Sequence, residues 1–213
     1  MKTDDLISAI AADAGAVERP VSSTLPVAVL AATSVMVVVF FLMLGVRQDF
    51  ASVLTGSWQF LFKFVLTIGV LVPSYFLVNE LARPEANPQA LKRLLWIVPA
   101  MMVGAVYYEL HALPSDLWGT YAIGSMAWQC VYLIPTLSLL PLSVILYALR
   151  QGAPANPAVA GAFGGLLAAS IGATLYACHC VNDSPLFIGA WYPIGTGIVV
   201  ALGALIGSRV LKW

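Results

Sequence analysis

A short polar turn near the carboxyl end of the chain separates two long apolar segments, and residues 177–192, around it, read ACHCVNDSPLFIGAWY. The apolar segments cover residues 157–177 and 190–211. Each has the roughly 20 residues that an α-helix needs to cross the hydrocarbon core of a bilayer. The turn is also the part of the chain richest in thiol, imidazole and carboxylate groups. It therefore predicts a pair of membrane helices with a candidate site for chemistry between them.

Apolar segments of this kind recur along the whole chain. Hydrophobic residues make up 61% of the 213 residues and charged residues only 9%, which is too apolar for a water-soluble globule. Short stretches rich in Pro, Asn, Gly and charge separate six runs of spanning length. Their expected bounds are residues 26–46, 58–79, 94–113, 126–149, 157–177 and 190–211. We expect an all-α polytopic membrane protein with six transmembrane helices, of which the fifth and sixth, crowded with Gly and Ala, pack closely.

The distribution of Lys and Arg predicts how these helices are oriented. Six spans place both chain ends on the same side of the membrane. If that side is the cytoplasm, the outer loops hold only Arg47, and the inner segments hold Lys2, Arg19, Arg83, Lys92, Arg93, Arg150, Arg209 and Lys212. Because Lys and Arg concentrate in cytoplasmic loops, we expect both termini to be cytoplasmic. Lys63 lies about five residues into the second span and is expected to extend its ammonium group to the outer interface.

The segment before the first span, residues 1–25, is polar and predicts one short amphipathic helix. Asp4 and Asp5 lie in its first turn, where carboxylates favour a helix N-terminus. Its apolar residues recur at three- and four-residue spacing: Leu6, Ile7, Ile10, Ala11 and Ala14. A helix of about eleven residues is marginal alone in water, so this stripe needs a partner, which is a protein, the membrane surface or the rest of the chain. Residues 1–25 thus form a cytoplasmic tail and residues 26–213 a membrane domain.

The predicted topology brings most of the reactive side chains to the outer end of the helices. The third span ends there, the fourth begins there and the fifth ends there. The residues concerned are Glu109, His111, Cys130, Cys178, His179, Cys180 and Asp183. In an inner-membrane protein of a bacterium with two membranes, this is the oxidising periplasmic side. Thiols and imidazoles there can form a disulfide, bind a soft or borderline metal ion, or react with an oxidant as thiolates.

Cys130 and Cys180 are the two cysteines expected to act together. A disulfide between Cys178 and Cys180 would close a strained, very small ring, whereas Cys130 and Cys180 need only backbones within about 7 Å. Cys178 is then left over, either as a packing residue or as an auxiliary thiol. The candidate metal ligands are Cys130, Cys180 and His179, although Cys-x-Cys with distant residues is a weak metal motif.

Four further side chains are candidates for an auxiliary role in sensing: His179, Asp183, Glu109 and His111. Glu109 is costly if it faces lipid, so we expect it to face protein or water. The alternative for Glu109 is that its carboxylate simply extends to the nearby interface. His179 is either a ligand or a polar loop residue.

Several stretches carry a resemblance to a known family. They are MKTDDLI at residues 1–7, IPTLSLLP at 134–141, LRQGAPANP at 149–157 with AGA at 160–162, CVNDSPLF at 180–187 with WY at 191–192, and RVLKW at 209–213. These stretches resemble the NrsF-type integral-membrane anti-sigma factors, bacterial inner-membrane proteins that restrain extracytoplasmic-function sigma factors. The first three spans match that family mainly in hydropathy and length.

The resemblance implies a function for both ends of the molecule. It implies that the cytoplasmic tail holds an extracytoplasmic-function sigma factor at the membrane, through a surface that we place on Asp4, Asp5, Leu6, Ile7 and Ile10. It also implies two periplasmic-side cysteines that respond to heavy metals or oxidants, and these fall on Cys130 and Cys180. Cys178 is an addition to the family pattern. The implied protein is not an enzyme, needs no cofactor, does not bind nucleic acid directly, and binds a heavy-metal ion at most transiently.

Two other classes of function are compatible with a membrane thiol protein. A thiol-disulfide oxidoreductase that passes electrons to quinone usually has a Cys-x-x-Cys pair and a second pair, whereas this chain has three cysteines and no Cys-x-x-Cys. A small transporter would place ionisable residues along a path through the middle of the membrane, whereas here they cluster at one face.

Overall fold

The computed structural model describes residues 3–5, 7–8, 21–83 and 88–212. Within these ranges the α-helices from residue 21 onward are α1 (Val21–Met43), α2 (Phe50–Gly56), α3 (Trp58–Leu81), α4 (Gln89–Leu95), α5 (Ile97–Ala112), α6 (Trp118–Ile123), α7 (Ala127–Leu149), α8 (Pro157–Ala177) and α9 (Pro185–Val210). The described residues contain no strand, and six helical segments are long and apolar enough to cross a membrane. The prediction of an all-α protein with six spans is confirmed.

Several helix boundaries differ from the expected ones. The first span was expected over residues 26–46, whereas its helix is Val21–Met43 and includes Pro26. In two other cases proline supplies the reason. The sixth span begins at Pro185 rather than near residue 190, because proline is pre-organised for the first position of a helix. The third span is two helices that meet at Trp96. Pro99 has no N–H to donate to the carbonyl of Leu95, and its ring crowds that carbonyl, so the helix breaks at this point.

Glycines set the distance between α8 and α9. A Cβ atom on Gly161 would collide with the carbonyl oxygen of Gly203, and a Cβ on Gly203 would collide with that of Gly161. A Cβ on Gly165 would lie 2.6 Å from the carbonyl oxygen of Val199. The two backbones are therefore in direct contact, which confirms the close packing predicted from the Gly and Ala content. The α7 helix packs on both, and α1 packs chiefly on α7.

The connections at one end of the bundle are joined by hydrogen bonds. This end, which we call the cysteine end, comprises residues 44–57, 113–126 and 178–184. The amide of Arg47 donates to the carbonyl of Cys178 over 3.1 Å, and Asn182 Oδ1 accepts from Ser125 Oγ over 3.1 Å. The α5 helix reaches the same end and has one buried residue, Glu109.

The structure describes the amino-terminal tail only in part. Residues 3–5, 7 and 8 are helical and exposed, with Ser8 Oγ donating to the carbonyl of Asp4 over 2.8 Å. The exposed part includes Asp4, Asp5 and Ile7 of the predicted sigma-factor surface, whereas Leu6 and Ile10 lie outside the described residues. The α1 helix is 23 residues long and leads into the cysteine end. At a rise of 1.5 Å per residue, its own two ends are about 34 Å apart.

Candidate functional site

The backbone folds tightly where α8 ends, and this buries Cys180. The amides of His179 and Cys180 both donate to the carbonyl of Tyr176, each over 2.9 Å. Cys130, in the first turn of α7, is buried beside it, and neither cysteine has any exposed surface. The thiols of Cys130 and Cys180 lie in hydrogen-bonding contact and are not joined as a disulfide. The structure thus brings together the two cysteines chosen from the sequence, here called the thiol pair, but away from solvent.

Two tyrosines lie close to the thiol pair. Cys130 Sγ lies 3.5 Å from the hydroxyl oxygen of Tyr176, and Cys180 Sγ lies 3.6 Å from the carbonyl oxygen of Asn182. The ring of Tyr192 lies 5.9 Å from that of Tyr176, centroid to centroid. The hydroxyl of Tyr192 is buried and has no hydrogen-bond partner among the residues that the structure describes. The thiol pair is therefore buried in mostly apolar surroundings, with few polar groups within hydrogen-bonding distance.

Lys63 does not extend to the outer interface, so that prediction is wrong. Its side chain is fully buried, and Nζ lies 2.6 Å from Asp183 Oδ1. Nζ also donates to the carbonyls of Cys180 over 2.9 Å and Asn182 over 3.0 Å. A buried ammonium is tolerated when a carboxylate and additional acceptors replace its lost hydration. Lys63 is therefore attached to the turn that carries Cys180.

Arg47 binds the same turn from the other side. Its guanidinium donates to Asp183 Oδ2 over 2.8 Å and to the carbonyl of Cys180 over 3.3 Å. The remaining nitrogens form a bidentate pair with Asp49 at 2.6 and 2.8 Å. These hydrogen bonds lower the pKa of the Asp49 carboxyl. In the sequence, Arg47 stands out only as the one basic residue of the predicted outer loops. That pattern does not predict its contacts with Asp49 and Asp183.

The other candidate residues are used in different ways. His179 Nδ1 lies 3.0 Å from the carbonyl of Gly45, and Glu109 Oε2 accepts from Ser184 Oγ over 2.7 Å and from the amide of Leu186 over 2.8 Å. Glu109 therefore faces protein, as expected, and caps the start of α9. His111 is exposed and bonds within its own helix. In the described ranges, no group of three or more His, Cys, Asp and Glu side chains is arranged to hold a metal ion.

The environment makes the two thiols of the turn chemically different. Hydrogen bonding from Cys130 lowers the pKa of Cys180 to about 6; the charge of Lys63 and the Asn182 backbone act in the same direction, and burial opposes them. Burial raises the pKa of the Cys178 thiol. The surroundings therefore favour the thiolate, which is the nucleophile and the metal ligand, at Cys180 and disfavour it at Cys178.

A pH titration of thiolate absorbance tests this difference. In a Cys178→Ser background, we expect the ultraviolet absorbance of the Cys180 thiolate to reach half its full value near pH 6. Adding Cys130→Ala should move the midpoint up, toward the ordinary thiol value of about 8.5, because the main cause of the lowered pKa is removed. Absorbance needs no reagent to reach the buried sulfur, and Cys180→Ala in the same background supplies the baseline. An unchanged midpoint without Cys130 would contradict the assignment.

Two cavities border this region. A polar cavity of about 750 Å³ opens at the cysteine end and is lined by Ser57, Gln59, Glu109, Thr120, Tyr121, Gly124, Ser125, Val181, Asn182, Asp183 and Ser184. An apolar cavity of about 720 Å³ lies between α3, α4, α5, α8 and α9. Neither thiol of the pair lines either cavity.

Comparison with known proteins places the chain in a family. The family model described as "Negative regulator of sigma F" matches residues 10–213. The chain is 32% identical over 215 residues to a probable anti-sigma-F factor NrsF of Azospira oryzae, and 31% identical over 219 residues to the anti-sigma-F factor NrsF of Caulobacter vibrioides. Both alignments cover 100% of each chain. No solved structure matches the chain. Since a family model and two full-length relatives agree, the chain belongs to the NrsF family of negative regulators of sigma F.

Proposed function

We propose that this protein is an anti-sigma factor that holds an extracytoplasmic-function sigma factor at the bacterial inner membrane and releases it when the thiol pair reacts with a heavy-metal ion or an oxidant. The names of the two relatives support the anti-sigma role. The observation that supports the sensing role is the contact between two buried thiols, one of them with a lowered pKa, at the cysteine end of the bundle.

The thiol pair can respond to two kinds of signal. A soft divalent cation such as Cd²⁺ would bind the two sulfurs as thiolates, releasing the proton of Cys130 and whatever proton Cys180 still carries at the ambient pH. A peroxide would oxidise the pair to a disulfide, with both thiol hydrogens leaving in the two water molecules formed. His179 is a candidate third ligand, but the cation would first have to detach its ring from the carbonyl of Gly45. Both signals would arrive through the polar cavity beside Asn182 and Asp183.

The tail supplies the sigma-factor surface in this proposal. Ile7 is 59% exposed on a helical segment, and with Leu6 and Ile10 it would form an apolar stripe flanked by Asp4 and Asp5. Such a stripe fits a hydrophobic groove on a helical partner. With both termini in the cytoplasm, as the basic residues indicate, the tail would meet a cytoplasmic sigma factor while the thiol pair faces the periplasmic side.

Co-purification from membranes tests the tail. We expect the variant that lacks residues 1–20, and Ile10→Asp, to capture a tagged candidate sigma factor far less than wild type. Loss of one buried Ile, about 1.5–3 kcal/mol, corresponds to roughly a 10- to 100-fold weaker complex. Ser8→Asp is the matched control, because it adds the same charge outside the apolar stripe. Full capture by Ile10→Asp would sink the tail model.

The same assay tests the thiol pair. Capture by wild type should fall when Cd²⁺ or peroxide is added, and Cys130→Ser with Cys180→Ser should keep the sigma factor bound under both treatments. Cys178→Ser should respond like wild type, because Cys178 is not in the pair. Release from the double variant would remove the thiol pair from the mechanism.

A membrane thiol-disulfide oxidoreductase is the alternative, and the apolar cavity is the observation in its favour, since it has the size of a small-molecule site. Electron transfer to a quinone there would need a sulfur at the cavity wall, and neither thiol of the pair reaches it. Quinone in an organic extract of the purified protein, together with catalytic reduction of added quinone by dithiol, would favour this alternative.

A further inference from the structure

Four contacts join the turn that carries Cys180 to the segment that follows α1. The carbonyl of Gly45, two residues after the last residue of α1 and at a φ of 69°, lies 3.0 Å from His179 Nδ1, and the amide of Arg47 donates to the carbonyl of Cys178 over 3.1 Å. The guanidinium of Arg47 supplies the other two, to the carbonyl of Cys180 and to Asp183. The position of the turn and that of the α1 terminus are therefore not independent.

Asp183 couples this connection to α3. Its two carboxylate oxygens are divided between Lys63 and Arg47, at 2.6 and 2.8 Å, and both cations also bind the carbonyl of Cys180. A single carboxylate and a single carbonyl thus each bridge two cations. A shift of Cys180 therefore changes its contacts with Lys63 and with Arg47 at the same time, because its carbonyl oxygen lies between the two cations.

The α1 helix is the element best placed to transmit such a shift. It packs chiefly on α7, which carries Cys130, and touches α3 and α8 at few positions. Its Met36 and Phe40 belong to the same buried cluster as Cys130 and Cys180. A helix with one main neighbour can slide or rotate while it breaks few packing contacts with the other helices. Motions of about one to two ångströms are typical of helix shifts in switching proteins.

We propose that Arg47, Asp183 and Lys63 form the relay that carries the state of the thiol pair to α1 and so to the tail, an inference that rests on the proposed function. Joining the sulfurs, whether through a bond of about 2.05 Å or through a shared metal ion, draws Cys180 toward α7. The carbonyl of Cys180 then leaves its position between the two cations. Arg47 follows Asp183 and the turn, and α1 moves with Arg47 relative to α7.

If the relay connects the two binding sites, thermodynamic linkage requires that their effects on each other be reciprocal. If a ligand at the thiol pair weakens the binding of the sigma factor at the tail, the bound sigma factor must weaken the binding of that ligand by the same factor. We therefore expect Cd²⁺ to bind the purified complex more weakly than the free protein, by the same factor by which it loosens the complex.

The test uses full-length protein in nanodiscs, with Cd²⁺ as the probe. Two quantities are measured for each variant: Cd²⁺ bound at the thiol pair, from thiolate-to-metal absorbance, and the ratio of sigma factor retained without and with Cd²⁺. In Arg47→Gln we expect Cd²⁺ binding close to that of wild type and a retention ratio near 1, with the sigma factor retained in both conditions. Arg47→Lys should recover part of the response, because it keeps one cation at Asp183.

Lys92→Gln is the matched control, since it removes one positive charge at the opposite end of the bundle and should respond like wild type. A wild-type retention ratio in Arg47→Gln overturns the relay.

Hydrogen exchange in wild type gives a second readout that needs no variant and no sigma factor. Cd²⁺ should change the exchange rate of the Arg47 amide, which donates to the carbonyl of Cys178. Unchanged exchange of residues 44–50 in Cd²⁺-loaded protein also overturns the relay. Failure of Cd²⁺ to release the sigma factor from wild type, with altered exchange at Arg47, overturns the proposed function and leaves the mechanical connection standing.

Discussion

Gly203→Leu is expected to prevent stable association of α8 and α9. The backbone oxygen of Gly161 occupies the place of the new Cβ, and a backbone group cannot rotate away as a side chain does. Overpacking typically costs about 1–3 kcal/mol and more when the backbone must move, so we expect a loss of at least about 3 kcal/mol. The measurement is the free energy of unfolding in mixed micelles, followed by the yield of monodisperse protein.

Gly197→Leu is the control for this prediction. Gly197 lies on the same helix, and a Cβ there would meet no atom within 4 Å. The substitution therefore adds the same side chain without a collision, and it also removes a glycine from a helix interior, which is favourable by up to about 1 kcal/mol. Equal stability of the two variants would show that α8 and α9 are not in backbone contact.

Lys63→Met is expected to lower the free energy of unfolding by about 3 kcal/mol or more. Removal of one partner from a buried ion pair typically costs about 3–5 kcal/mol, because the other charge stays buried without compensation. Here Arg47 continues to bind Asp183, which places the expected loss at the lower end of that range. The carbonyls of Cys180 and Asn182 also lose their shared donor.

A double-mutant cycle separates the ion pair from the packing of the Lys63 side chain. With Asp183→Asn, the charge that Lys63 compensates is absent, so Lys63→Met should be less damaging, and we expect a coupling energy of about 1–3 kcal/mol. Lys92→Met provides the control for loss of one cation outside the cysteine end. Additive effects of Lys63→Met and Asp183→Asn would mean that the two side chains do not interact.

The amino-acid sequence by itself determined the architecture. Apolar runs of spanning length, interrupted by polar turns, specify six membrane helices because a lipid bilayer tolerates backbone only when its hydrogen bonds are satisfied internally. Gly and Ala in the last two spans specified that α8 and α9 touch, because only small residues allow that approach. The alternation of spans also placed Cys130 and Cys180 at the same end, although spacing along the chain said nothing about their contact.

Only the tertiary structure decided how the charged residues at the cysteine end are used. Lys63 carries the same sequence pattern whether it extends to an interface or lies buried, and the outcome depends on Asp183, far away along the chain. Glu109 likewise became a helix cap because α9 starts beside it, whereas His111, two residues later, faces away. The lowered pKa of Cys180 comes from Cys130 and Lys63 together. Such effects fall off steeply with distance and depend on local burial, so they are set by folded positions and not by residue order.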